Sequence, residues 1–336
     1  MKKSVLIINL GTPDKPTIPS VWRYLRQFLM DSRVIDIPFI LRYVLVNFII
    51  IPTRVSSSTG EYRKLWAMYG SSPLMTNLVK LHEKLSARLH GSADVYSAMR
   101  YQNPSIDIAM DKIKNGRYDE LVILPLYPQY ASASTGSTIE YCNNIISQWT
   151  TKPKIRIVSD FYNHPSYIEC FVGNARKMSY KDYDHILFSY HGLPERHLDK
   201  SHIGTEQCSD IRCEDGIGLT NQLCYKAQCY ETTRLIADAL GMDHDSYSVS
   251  FQSRLNDRWV KPYTDVVMLD LIGMGKTKVL VLSPSFISDC LETSVEIGES
   301  NREIFIERGG KSFDLVPSLN DDDNWADAVI EILELS

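Results

Sequence analysis

The sequence predicts an α/β protein of two similar domains, each a four-stranded parallel sheet flanked by helices. Three observations carry this expectation. First, eight short β-rich runs stand out: Val5–Leu10, Val95–Tyr101, Leu121–Tyr127 and Ile155–Phe161 in the first half, then His185–Tyr190, Ser246–Phe251, Lys278–Ser283 and Phe313–Pro317 in the second. Several are nearly continuous apolar runs, the pattern of strands covered on both faces. Second, amphipathic stretches such as Leu74–Leu89 and Glu231–Leu240 lie between them, and alternation of strand and helix implies parallel βαβ units. Third, the halves echo each other. The third run of each, L-V-I-L-P-L-Y-P-Q-Y from Leu121 and V-L-V-L-S-P-S-F from Val279, passes through proline and an aromatic residue before the next helix. The expected layout is a pair of Rossmann-like domains facing each other across a cleft. They span residues 1–162 and 163–320, with the boundary near Tyr162–Pro165 and a last helix within 321–336 packing back on them.

The bulk properties narrow the class. A length of 336 residues suits two domains of ordinary size. A net charge of -5 offers no broad basic surface, so nucleic acid is not an expected partner. Met1-Lys2-Lys3 resembles the start of a signal peptide, but the apolar stretch after it runs into Gly-Thr-Pro-Asp with no small-residue cleavage site. It reads as a first strand, and the expected location is cytoplasmic. Seven cysteines, an odd number, argue against a full disulfide framework. Cys142 and Cys170 stand apart and read as buried small hydrophobes.

One segment is unusually apolar: Ile37 to Ile51, interrupted by Arg42 and Asn47 and short for a membrane span. It reads either as a core helix or as a lip that rests on a membrane surface or receives an apolar ligand. Two tempting motifs fail. G-M-G-K-T at Gly273 precedes a strand instead of following one, and no G-x-G-x-x-G opens a helix after the first strand.

Ligands of parallel sheets gather at the carboxyl ends of the strands. There the sequence puts Thr12, Arg100 with Tyr101, and Tyr127 in the first half, and His191, Ser253, Asp289 and Glu292 in the second. An imidazole at a strand end accepts a proton or holds a metal near neutrality. Ser288 reads as a helix N-cap, after which Asp289, Glu292 and Glu296 fall on one helical face. That face is either a solvated acidic first turn or a line of carboxylates leading protons or a cation inward. Four clustered cysteines, Cys208, Cys213, Cys224 and Cys229, read C-x-x-x-x-C twice with ten residues between. This is a metal cradle by spacing, open to zinc or an iron–sulfur cluster. An unbroken helix would splay Cys224 from Cys229, so a turn is expected between them.

Taken in order, S-Y-H-G-L-P-E-R, Y-P-Q-Y with S-T-G-S, S-F-Q-S-R, R-W-V-K-P-Y-T-D, F-I-S-D-C-L-E-T and E-S-N-R-E-I-F, with L-G-T-P-D-K-P and Y-G-S-S-P-L nearer the start, resemble ferrochelatases from about Leu10 to Asn320. The resemblance implies the class II chelatase fold and insertion of ferrous iron into protoporphyrin IX to give protoheme. It implies that His191 and Glu292 carry proton abstraction and metal delivery, with Glu296 and Asp289 along an acidic path. Arg100, Tyr101, Ser253 and Trp259 match porphyrin-pocket positions, with Tyr127 and Thr12 as wall residues. The cysteine stretch, about residues 200–229, resembles the bacterial subclass with an internal [2Fe–2S] cluster on four cysteines. Structural zinc is the alternative. Ser132 stands where members with a carboxyl-terminal cluster carry cysteine. Two rival readings are a coproporphyrin III chelatase and a non-catalytic heme or porphyrin carrier with a redox-sensing cluster. Peripheral contact with the inner face of the membrane is expected from the lip, and the oligomeric state is not given by the sequence.

Overall fold

The structure is a computed structural model and describes residues 1–204 and 206–335. Its eight strands are β1 (Lys3–Gly11), β2 (Ala93–Tyr101), β3 (Glu120–Pro125), β4 (Lys154–Ile157), β5 (His185–His191), β6 (Tyr247–Gln252), β7 (Lys278–Leu282) and β8 (Ser312–Leu315). They form two four-stranded sheets, ordered β2-β1-β3-β4 and β6-β5-β7-β8, and every pairing is parallel. The expected fold class is therefore present, with the same strand order in both halves. Several strands stop earlier than their apolar runs. The third and fourth runs of the first half continue to Tyr127 and Phe161, yet their ladders end at Pro125 and Ile157. Proline has no amide hydrogen to continue a ladder, and β4 and β8 are edge strands of four residues each.

The chain divides into two compact units. One holds Met1–Tyr127, Ser132–Asp160 and the chain from Asp321 on; the other holds Pro128–Ala131 and Phe161–Asn320. In the first, Leu6 and Ile8 of β1, Leu121 and Ile123 of β3 and the helix Ile106–Gly116 close a core that also contains Cys142 and Trp149. Cys142 is fully buried there, whereas Cys170 is only partly buried. The helix Asp323–Ile332 belongs to this unit, where Lys84 and Arg88 pair with Asp323. In the second, Leu187, Val279, Val281 and Phe313 pack with Met268, Leu271 and Phe305 from the covering helices.

In each sheet the strand order reverses beside the first strand of the unit. That puts the switch point, where ligands of open parallel sheets gather, at the carboxyl ends of β1 and β3 in one unit and of β5 and β7 in the other. Gly11 shows how tightly the first of these ends is built. It pairs with Tyr101 at φ +120°, and a Cβ there would lie 2.1 Å from the Tyr101 carbonyl oxygen.

The apolar segment is not a core helix. Phe39–Tyr69 is one continuous 31-residue helical stretch, long and apolar enough by length and composition to cross a membrane. Within it, Leu45–Ile50 is a π-helical turn. Pro52 explains the widening: it has no amide hydrogen for the Phe48 carbonyl. The Thr53 hydroxyl instead donates to the carbonyls of Ile49 (2.7 Å) and Ile50 (3.0 Å). Ile40 is 74% and Phe48 68% exposed.

Candidate active site

His191 is the last residue of β5, at the switch point of the second unit. Its Nδ1 lies 2.6 Å from the carbonyl oxygen of Gly192. A carbonyl only accepts, so Nδ1 carries a hydrogen, and in the neutral ring Nε2 is the nitrogen with the lone pair. The imidazole lies between the Trp259 ring, at 6.4 Å, and the Phe286 ring, at 6.3 Å. Gly192 is required for this placement, since a Cβ there would meet the Gln252 carbonyl at 2.6 Å and the Trp259 ring at 3.3 Å.

The acidic residues sit on a π-helix, Leu291–Asn301, not on an α-helix. The expected N-cap, Ser288, lies outside it. Cys290 caps instead, its amide donating to Thr293 Oγ1 at 2.9 Å. Asp289 thus precedes the helix and does not share a helical face with Glu292 and Glu296, which corrects the sequence reading. Its carboxylate accepts from Asn320 Nδ2 (2.9 Å) and the Ser318 amide (3.3 Å), a clamp on the chain after β8. Glu292 and Glu296 are within electrostatic reach of each other, and Glu296 of His191. Ser253 Oγ donates to Glu296 at 2.6 Å from a left-handed backbone with φ +63°. Such a conformation costs of order 1–3 kcal/mol in a non-glycine residue and persists only where its surroundings enforce it. Gln252, one residue earlier, donates to the Glu292 carbonyl at 2.8 Å.

Burial raises the pKa of Glu296 above the ordinary 4.5; the Ser253 bond and His191 pull it down, and Glu292 pushes it up. The folded protein therefore binds this proton more tightly than the unfolded chain. The sign of the linkage follows: the contribution to stability is complete below the unfolded value and is lost as pH rises through the raised folded value. Glu296→Gln is expected to remove that slope. Its Tm relative to the parent should rise as pH increases from below the ordinary value of 4.5 through the raised folded value. A pH-independent difference in thermal unfolding would refute the shift.

In the first unit, Arg100 and Tyr101 at the end of β2 converge on Asp31, a residue the sequence reading did not single out. Arg100 Nη2 pairs with Asp31 Oδ2 at 2.7 Å, and Tyr101 Oη (3.0 Å) and Ser137 Oγ (2.6 Å) donate to the same oxygen. Burial, then the Asp31 charge, push the Tyr101 hydroxyl far above its usual range. Arg100 and Asp31 border a cavity of about 630 Å³ that Trp22, Arg26, Met30 and Arg33 also line, a volume in the range of small-molecule sites. Thr12 and Tyr127 do not line it. Thr12 is buried and accepts from Ser72 Oγ at 3.1 Å, and the Tyr127 hydroxyl is enclosed.

Three of the four clustered cysteines come together in the second unit. The ligand atoms of Cys208, Cys213, Cys224 and His202 all lie within 4.8 Å of one another, and all four residues are buried. Cys208 and Cys224 sulfurs are 3.7 Å apart. Hydrogen bonds from Cys208 and Cys224 pull the Cys213 thiol well below the thiol range, while the bonds to Cys213 and Cys224 push Cys208 far above it. Thiolates this close repel one another, and a cation among them offsets that repulsion. Buried thiols with an imidazole are a donor set that fits a thiophilic metal group, an iron–sulfur cluster included. Cys229 is apart from them. The helix Tyr225–Leu240 runs unbroken through it from its N-cap, Cys224, and no turn intervenes. The Cys229 thiol is fully buried and hydrogen-bonded to the Tyr225 hydroxyl.

Comparison with known proteins places the chain. The ferrochelatase family model matches residues 2–335. A ferrochelatase of Legionella pneumophila (strain Corby) is 42% identical over 99% of both chains, and one of Coxiella burnetii (strain Dugway 5J108-111) is 39% identical over all of this chain and 94% of its own. Among solved structures, SirB from Bacillus subtilis with Fe3+ superposes with a TM-score of 0.56 at 10% identity, covering 99% of this chain and 96% of that one. The sirohydrochlorin chelatase SirB from Bacillus subtilis subspecies spizizenii, in complex with cobalt, gives 0.55 at 8% over 99% and 94%. These structural likenesses speak for the fold alone. On the evidence of sequence over nearly its whole length, the chain belongs to the ferrochelatase family and is an enzyme that inserts ferrous iron into a porphyrin.

Proposed function

We propose that the porphyrin is protoporphyrin IX, that the product is protoheme, and that His191, Glu292 and Glu296 carry the chemistry. The observation that supports this most is the orientation of His191: with Nδ1 bonded to the Gly192 carbonyl, Nε2 of the neutral ring keeps a lone pair at the switch point, within electrostatic reach of Glu296, which in turn feels Glu292. A free-base porphyrin must release two pyrrole protons before Fe²⁺ enters its plane. His191 Nε2 takes one. A carboxylate of raised basicity takes the other, since bases poised near neutral pH accept protons most effectively. Glu292 passes Fe²⁺ inward, because carboxylate and imidazole both bind this ion and release it readily. Ser253 fixes the Glu296 carboxyl, and Trp259 gives the His191 ring an apolar wall. Asp289, bound to Asn320 and Ser318, serves as a brace for the turn before the π-helix. Arg100 and Tyr101, locked on Asp31, shape the binding side of the first unit, with Thr12 and Tyr127 as supporting wall.

The exposed apolar stretch around Phe39–Phe48 supports a sparingly charged porphyrin and peripheral contact with the inner membrane face of a cytoplasmic enzyme. The cysteine segment carries a [2Fe–2S] group, which when bound cross-links that segment through metal–thiolate bonds; no step of insertion runs through it. The test is anaerobic mixing of purified protein and Fe²⁺ with protoporphyrin IX or coproporphyrin III, each followed by heme absorbance. Faster turnover of protoporphyrin IX is expected. A preference for coproporphyrin III overturns the substrate assignment.

A further inference from the structure

The segment between His191 and the helix Tyr225–Leu240 has almost no apolar core of its own. Ile203 is 68% and Leu219 84% exposed. Leu198 is its one deeply buried aliphatic side chain among the described residues, and beside it the segment buries His197, His202, Cys208, Cys213, Asn221 and Cys224. The His202 ring is held in a set orientation. Its Nδ1 lies 3.2 Å from the Glu206 carbonyl, and its Nε2 lies 3.4 Å from Cys213 Sγ. A metal-binding histidine is typically fixed in this way, with its second nitrogen donating to a carbonyl. Asn221 supplies a further outer partner, donating from Nδ2 to Cys213 Sγ at 3.4 Å. The Cys208 amide donates to Asp199 at 2.9 Å, and Ile203 N–H to the Thr220 carbonyl at 2.8 Å, which ties the two arms of the segment together.

Cys229 stands outside this set. Cys224 is the extended N-cap of the helix, and Cys229 lies more than a turn into it, its sulfur not among the ligand atoms that lie within 4.8 Å of one another. Its thiol already has the Tyr225 hydroxyl as a partner.

We infer that His202, and not Cys229, completes the metal site, giving three thiolates and one imidazole from Cys208, Cys213, Cys224 and His202. The inference builds on the reading that this segment holds a metal group, but not on which group it is: a [2Fe–2S] cluster and a single tetrahedral Zn²⁺ both accept these donors.

The experiment compares the full-length protein with Cys229→Ala, His202→Ala and His202→Cys. Each is purified anaerobically, and samples are reconstituted separately with Fe²⁺ plus sulfide and with Zn²⁺. Iron, sulfide and zinc per chain are measured, with visible absorption. Cys229→Ala is expected to keep the parent's metal content and spectrum. His202→Ala is expected to weaken retention at least ~10–100-fold, the loss seen even for outer partners of a site. His202→Cys should hold metal with an altered spectrum, which separates a lost ligand from a misfolded segment. Metal lost with Cys229→Ala and kept with His202→Ala overturns the inference, as does a parent that retains neither metal. A parent that retains zinc and no cluster overturns the [2Fe–2S] reading; the ligand assignment then stands if His202→Ala releases the zinc.

Discussion

Replacing His191 with alanine is expected to lower iron insertion by ~10²–10⁴-fold, the range over which a positioned acid–base group acts, while porphyrin binding is largely kept. The argument is geometric. Nδ1 is committed to the Gly192 carbonyl at 2.6 Å, so the ring offers one basic nitrogen at a fixed place. Alanine leaves Trp259 and Phe286 around a small gap and the Glu296 carboxyl without its neighbouring base. Porphyrin binding measured by fluorescence quenching, beside turnover measured by heme absorbance, separates the two effects. Turnover within a few-fold of the parent would show that another group accepts the proton.

The second large effect belongs to Asp31. Asp31→Ala is expected to destabilise the first unit by about 3–5 kcal/mol, the cost of stranding one partner of a buried ion pair. The Arg100 and Asp31 side chains are 11% and 8% exposed, so solvent does little to screen them. The loss also strands the Tyr101 and Ser137 hydroxyls, both of which donate to the same carboxylate oxygen. Urea unfolding followed through the tryptophans of this unit reads the change. Loss below about 1 kcal/mol, the level of an exposed pair, would mean that the cluster contributes little to holding Arg100 in place.

The strands could be read from the sequence because burial on both faces leaves nearly continuous apolar runs, and the parallel order followed from the helices between them. Their ends could not, since an apolar run continues past the last paired residue, as beyond Pro125. His191 was legible because a β run gives way there to glycine and proline. Asp31 was not: an isolated acid gives no hint that residues roughly 70 and 106 positions later will fold onto it. The cysteine spacing drew all four thiols into one set, but the helix carries Cys229 away from the other three, and His202, one of eight histidines in the sequence, falls close to them instead. Ser288 was misread as a cap because serine before an acidic turn is the common N-terminal pattern. Here a cysteine–threonine pair closes the helix two residues later.

The π-helix from Leu291 to Asn301 makes chain length itself a functional variable. Its i→i+5 ladder accommodates one more residue per loop of backbone than an α ladder does. Excising a single residue between Glu292 and Glu296 lets the stretch wind more tightly and shifts the second carboxyl out of its present register with the first. Side-chain replacements here alter one group at a time, whereas a one-codon deletion moves Glu292 and Glu296 relative to each other at once.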